Sequence, residues 1–302
     1  MSLIPVDYVL ALYNIVLIAV WAPLATTTPV ARWMIAVHTA ALGLPWLLLR
    51  AGSLRSRGVA ALREVYPVIW LGAFWKELGI HCELVGSAPN DALLASLDRA
   101  VFHVNANVTW PAAAPAVWLS ELMQGVYFLY YVLFAGLVLY LVLRSRRPIT
   151  RDTILRLSAA YTAAYLVYAI APTVGPMWMS EFPRLGAQGL FRTLNDALQA
   201  AGDAAGTAFP STHTAGSITL AWLAWRYCPR WVAVPVTALA LAIIPATVYT
   251  QNHFLLDAVC GAMLGLWLQA SAIPALRGAY RWMRFHKWRI PRAAPKTEPE
   301  SV

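Results

Sequence analysis

The chain has 302 residues, of which 60% are hydrophobic and only 12% charged, against roughly a quarter charged in soluble domains. The apolar residues lie in blocks, such as the uncharged run 126–143, which excludes an ordinary soluble domain and indicates an all-α, polytopic transmembrane helical bundle. The net charge of +9 is gathered in short loops and at the C-terminus, a positive-inside pattern, so nucleic-acid binding is not expected.

In chain order, the apolar segments are 8–24, 33–49, 66–84, 117–143, 154–171, 213–226, 231–250 and 254–275. Most approach the roughly 20 residues that cross a hydrocarbon layer. The segment 213–226 is short, so its helix either begins near Pro210 or is thinly covered. Segment 66–84 contains Lys76, Glu77 and Glu83. It reads either as an interfacial helix or as a span whose charges face the protein interior. Asp7 precedes the first run and no basic leader stands before it, so that run reads as a retained span.

The basic loops orient the bundle. Arg144, Arg146, Arg147 and Arg151 form one cluster, Arg226 and Arg230 a second. Arg277, Arg281, Arg284, Lys287, Arg289, Arg292 and Lys296 form a third. All three fall on the same side if each run crosses once, which makes that side cytoplasmic. Arg50, Arg55, Arg57 and Arg63 join them only if 66–84 also crosses, giving eight spans. The predicted organisation is an N-terminal hairpin over 1–65, a catalytic membrane domain over 66–276 and a basic cytoplasmic tail over 277–302. The stretch 291–302 reads as disordered. Cys82, Cys228 and Cys260 show neither disulfide nor metal spacing. Asn107-Val-Thr109 matches a glycosylation acceptor pattern.

Two histidines stand at the mouths of apolar runs, His213 in Ala208-Phe-Pro-Ser-Thr-His-Thr-Ala215 and His253 in Asn252-His-Phe-Leu-Leu-Asp-Ala258. One helical hairpin separates them, which returns both imidazoles to one face of the membrane, the extracytoplasmic one. Pro210 suits a helix start, and Ser211 or Thr212 can cap it. The freed N–H groups and the dipole then favour an anion, beside a histidine able to move a proton near neutrality. The same pattern also fits a capped helix with an interfacial histidine. Asp257 lies one turn after His253 and can accept Nδ1–H, leaving Nε2 free to attack. A structural pair of interfacial His and buried Asp fits that spacing as well.

The order Pro-Ser-x-His, hairpin, His-x-x-x-Asp resembles the type 2 phosphatidic acid phosphatase superfamily. The resemblance implies that His253 is a nucleophile forming a phosphohistidine. It also implies that Asp257 orients His253 and that His213 protonates the leaving group. Many of those phosphatases place Ser-Arg before the second His, where this chain has Ala246 and Thr247. The segment Ala246-Thr-Val-Tyr-Thr-Gln-Asn-His253 is more similar to the inositol phosphorylceramide synthase branch. So are Asp98-Arg-Ala-Val-Phe102, Ser120-Glu-Leu-Met-Gln124 and Ala171-Pro-Thr-Val-Gly-Pro176. Relatives often carry Arg after the Gly175-Pro176 pair, but Met177 stands here. Arg184 and Arg192 are the available phosphate-binding cations, with Ser211, Thr212, Gly175 and Pro176 completing the expected substrate site.

Glu121 reads as a helix cap, Lys76 and Glu77 as a mutual pair, and Tyr127, Tyr130 and Tyr131 as helix packing. His38, His81, His103 and His286 show no catalytic partner pattern. No metal or cofactor is implied. The expected activity is a membrane lipid phosphoesterase or phosphotransferase acting on a phospholipid or polyprenyl-phosphate substrate, leaning towards head-group transfer. The alternatives are a plain phosphatase for phosphatidate, phosphatidylglycerol phosphate or polyprenyl diphosphate, and a non-catalytic lipid-binding or transport protein. Oligomeric state is not legible.

Overall fold

A computed structural model describes residues 3–52, 57–144 and 146–287. Arg55, Arg289, Arg292, Lys296 and the expected disordered stretch 291–302 lie outside these residues. So do the side chains of Arg57, Arg144, Arg284, His286 and Lys287.

The described residues are mainly helical. In order the helices are α1 (Pro5–Trp21), α2 (Pro29–Gly52), α3 (Arg57–Val85), α4 (Ala88–Phe102), α5 (Ala106–Ala113) and α6 (Val117–Arg144). Then follow α7 (Arg147–Ile170), α8 (Leu190–Gly202), α9 (Thr212–Tyr227), α10 (Arg230–Tyr249), α11 (Leu255–Trp267) and α12 (Ile273–Lys287). A π-turn over Leu268–Ala272 joins the last two. Among the described residues no strand forms, only a bridge between Thr173 and Thr207. The all-α membrane bundle expected from the sequence is the observed fold.

Among the described residues, six stretches are long and apolar enough to cross a membrane: Pro5–Thr26, Pro29–Arg50, Val117–Leu143, Arg147–Ile170, Arg230–Tyr249 and Leu255–Met283. The two other expected spans depart for different reasons. Helix α9 has 16 residues. It is not thinly covered; it is the central helix, packed against α6, α7, α10 and α11. Helix α3 is 29 residues long, ample for a span, but carries charges that the bundle interior receives.

Arg63, Glu64 and Glu77 each meet partners from other helices. Arg63 pairs with Asp7 of α1, which also accepts from the Tyr66 hydroxyl at 2.6 Å. Glu64 takes Arg147 at 2.8 Å and Arg151 at 2.7 Å, both from α7. Glu77 accepts from Trp21 Nε1 at 2.5 Å and lies 2.6 Å from His38 Nε2. The expected Lys76–Glu77 pair therefore does not form. Adjacent helical residues point about 100° apart, and Lys76 instead donates to the Gly202 and Asp203 carbonyls at 3.0 and 3.4 Å. Glu121 caps a different helix from the one expected, accepting from Phe191 N at 3.2 Å at the start of α8. Asn107 of the glycosylation pattern is fully buried.

Asp152 of α7 ties the basic end of the bundle together. It accepts from Arg156 Nε at 3.0 Å, from the Tyr227 hydroxyl and from Arg277, with Arg226 Nε at 3.4 Å. Arg156 continues to Gln269 Oε1 at 2.7 Å, and Gln269 to Thr219 at 3.1 Å. Arg226 and Arg277 thus meet at one end, about 20 Å of helix away from His213. Removing Asp152 leaves the buried Arg156 without its carboxylate. Breaking such a buried pair costs about 3–5 kcal/mol, so Asp152→Ala should lower the thermal unfolding midpoint in detergent clearly. An unchanged midpoint would contradict this role.

Candidate active site

The site is assembled where the starts of α9 and α11 meet. Ser211 is the N-cap of α9, its hydroxyl accepting from Thr214 N at 3.4 Å. Its own N–H donates to the Asp257 carbonyl at 3.0 Å. Thr214 Oγ1 donates to the Ala258 carbonyl, also at 3.0 Å. These contacts require the backbones to touch, and Gly261 permits it: a Cβ there would run into Thr214 Oγ1 and the Ser211 carbonyl. Helix α11 begins at Leu255, with Phe254 N donating to Asp257 Oδ2 at 2.9 Å.

The turn carrying His253 folds back onto α10. The N–H groups of Asn252 and His253 both donate to the Thr247 carbonyl, at 3.1 and 3.2 Å. Thr247 itself is fully buried, so the position where the phosphatases this chain resembles carry a clamping Arg faces no open space. The loop from α7 lies against the outside of this turn. Gly175 has φ +79°, and a Cβ there would approach the Asn252 carbonyl to 2.7 Å. Helix α4 braces both loops: Asp91 accepts from Val174 N at 2.8 Å and Asp98 from Leu256 N at 2.7 Å. Burial raises the pKa of both carboxyls, and these N–H donors draw it back down.

The result is a linear set of groups. His253 Nδ1 lies 3.4 Å from Asp257 Oδ2, an ion-pair distance outside hydrogen-bond geometry. His253 Nε2 lies 3.4 Å from His213 Nδ1. His213 Nε2 lies 3.2 Å from the Tyr131 hydroxyl. The His213 ring is further enclosed by Tyr127 and Tyr130, at centroid distances of 4.8 and 4.7 Å. Asp257 is fully buried behind the pair.

Both histidines open onto a cavity of about 1100 Å³. It runs from an apolar wall on α3 (Val68, Leu71 and Trp75), past Tyr127, Tyr131 and Phe134 of α6, to the loop 178–181 and the end of α8. Of the expected site residues, Thr212, His213 and His253 line it and Asp257 stands directly behind. Ser211 is buried in the helix cap, and Gly175 and Pro176 are buried in the supporting loop. Arg184 and Arg192 are not brought into the cavity. Arg184 pairs with Asp196 at 3.0 Å. Arg192 is buried and donates to the Leu185 and Gly186 carbonyls at 2.8 and 2.7 Å. Burial, then the neighbouring Arg184, lowers its pKa.

The sequence reading missed several lining groups. Tyr127, Tyr130 and Tyr131 do more than pack: their spacing on α6 was visible, but their target, His213, was not. Asp203 had no signal at all. It is exposed towards the cavity rather than packed. Its enclosure raises its pKa, while Ala204 N–H, His253 and Lys76 lower it.

A sequence model of the PAP2 superfamily matches residues 92–270, more than half of the chain. The chain belongs to the PAP2 superfamily. Comparison with curated proteins and with solved structures gave no match. The matched region contains His213, His253 and Asp257 together with every helix from α5 to α11. A PAP2 superfamily membrane protein of this kind is a phosphatase-type enzyme, with a lipid as the expected substrate.

The α9–α11 contact makes a sharp demand on this PAP2 protein. Gly261→Val should push the two helix starts apart, and misplacing reacting groups by about 1 Å costs about 100-fold in turnover. Gly43, with open space around its Cβ position, supplies the control: Gly43→Val should leave phosphate-ester turnover unchanged. Equal turnover in both variants would show that the contact does not set the site.

Proposed function

We propose that this protein is a lipid phosphoesterase or phosphotransferase acting through a phosphohistidine on His253. The observation that carries the reading is the placement of His253 between Asp257 and His213, at the wall of a large cavity. With Nδ1–H turned to Asp257, Nε2 presents its lone pair to phosphorus. The N–P bond forms as the P–O bond to the leaving alcohol breaks. The departing oxygen takes a proton from His213 Nδ1. For this step His213 is the imidazolium, its Nε2–H donating to the Tyr131 hydroxyl oxygen, and loss of the Nδ1 proton leaves a neutral imidazole with Nδ1 free to act as base. In the second half, His213 takes a proton from water or an acceptor alcohol. The resulting oxygen bonds to phosphorus and the N–P bond breaks.

Water as acceptor gives hydrolysis; a hydroxyl-bearing acceptor gives head-group transfer. The similarity of segment 246–253 to the inositol phosphorylceramide synthase branch supports transfer. His253→Ala should abolish turnover by about 10⁴-fold or more, and His213→Ala should reduce it about 10²–10⁴-fold. Quantifying lipid products by mass spectrometry tests both; wild-type rates in both variants would rule out the mechanism.

We further place the site on the extracytoplasmic side of the membrane, with α3 and α9 completing eight spans. Arg147, Arg151, Arg226 and Arg277 lie at the opposite end of the bundle from the histidines, which supports this orientation. Ser180 is exposed in the loop beside the cavity. In a variant lacking Cys82, Cys228 and Cys260, Ser180→Cys should react with a membrane-impermeant maleimide added to intact cells. Labelling only after lysis would reverse the orientation.

A further inference from the structure

The cavity has an unusual charge for a place where phosphate reacts. A phosphoryl group in transfer is stabilised by Lys, Arg, metal ions or convergent N–H donors. Among the described residues lining this cavity there is no Lys and no Arg, while Asp91, Glu181 and Asp203 all line it. Asp91 is engaged by Val174 N–H and Asp203 Oδ1 accepts from Ala204 N at 2.9 Å, but both Glu181 and Asp203 are exposed residues of the lining. Asp203 lies near enough to interact electrostatically with His253. Lys76 approaches Asp203 from outside the lining, donating to the Gly202 and Asp203 carbonyls, and offsets part of that carboxylate's charge. Arg184 pairs with Asp196, and Arg192 donates to loop carbonyls. A dianionic phosphate entering alone would meet carboxylates and little compensation beyond the N-terminus of α9.

The walls supply the second half of the inference. Trp75, Trp178, Tyr127, Tyr131, Phe134 and Tyr165 all contribute to the lining. Aromatic faces attract ammonium groups, and ring clusters beside carboxylates recognise choline-type cations. The far end, on Val68 and Leu71 of α3, is apolar and suits acyl chain.

We propose that this cavity takes a phospholipid whose head group carries its own cation, a choline- or ethanolamine-type ammonium. The ammonium sits among Asp203, Glu181 and the aromatic rings, while the phosphate lies at His253 and the N-terminus of α9. The substrate thereby brings the positive charge that the lining lacks, and a head group of net zero charge avoids the repulsion that phosphatidate would meet. This identification rests on reading the cavity as a phosphoryl-transfer site, but its test does not require turnover.

Full-length His253→Ala protein in detergent is titrated by calorimetry with short-chain phosphatidylcholine, phosphatidylethanolamine, phosphatidylglycerol and phosphatidate of identical acyl length. The two ammonium lipids should bind about tenfold or more tighter than the two anionic ones. Adding Asp203→Asn should weaken phosphatidylcholine about tenfold and tighten phosphatidate. Opposite movements cannot come from a misfolded protein, and Glu181→Gln should move both in the same directions. Phosphatidate binding as tightly as phosphatidylcholine overturns the proposal. So does an Asp203→Asn effect equal for every lipid, or binding that EDTA abolishes. Ammonium preference in a wild type with no turnover would sink the reaction and leave the head group standing. Turnover with no such preference would do the reverse.

Discussion

The contact between the starts of α9 and α11 sets the geometry on which the rest depends. Two backbone carbonyls of α11, at Asp257 and Ala258, receive donors from Ser211 and Thr214 of α9. His213 stands between the two donors, two residues after Ser211, and His253 four residues before the first acceptor. The separation of the imidazoles is therefore tied to two hydrogen bonds onto the α11 main chain, one from the Ser211 N–H and one from the Thr214 hydroxyl. Contacts of this kind are well defined because both helices are rigid over the turns concerned. The glycine at position 261 is the sequence feature that lets them form.

A second constraint comes from the membrane. Ionisable groups among apolar helices are tolerated only when matched, and this bundle matches them in discrete sets. Asp7 with Arg63, Glu64 with Arg147 and Arg151, and Asp152 with Arg156, Arg226 and Arg277 are carboxylates serving arginines near helix ends. Glu77 with His38 and Trp21 lies deeper. The N-terminal helices are thus bound to the matched region through polar contacts as well as through the core shared by α1, α3 and α7.

Much of this was legible beforehand. Long apolar blocks reveal the spans because hydrocarbon demands about 20 such residues. The grouping of His213, His253 and Asp257 is legible because an i, i+4 pair shares one helix face and a hairpin returns the chain to its starting side. Three things were hidden. Helix α8 leaves no mark among the apolar blocks, since its apolar residues Leu190, Leu194 and Leu198 are spaced for one face and never form a run. The charges of α3 concealed its partners, because Asp7, His38 and Arg147 are distant in sequence. Arg184 and Arg192 looked available because sequence reports charge but not what already holds it. The same limit hid the acidic character of the cavity: Asp203 acquires meaning only from the position of α8.

The shortness of α9 has a consequence for how chemistry and bilayer meet. Sixteen residues make a helix about 24 Å long, against a hydrocarbon layer about 30 Å thick. In the proposed eight-span arrangement, with Arg226 among the arginines at one interface, the other end of α9 stops short of the opposite interface. The histidines of that proposed arrangement then lie at the bottom of a well rather than at the membrane surface. On that reading the lipid and the acceptor reach them by different routes, one from the leaflet and one from above.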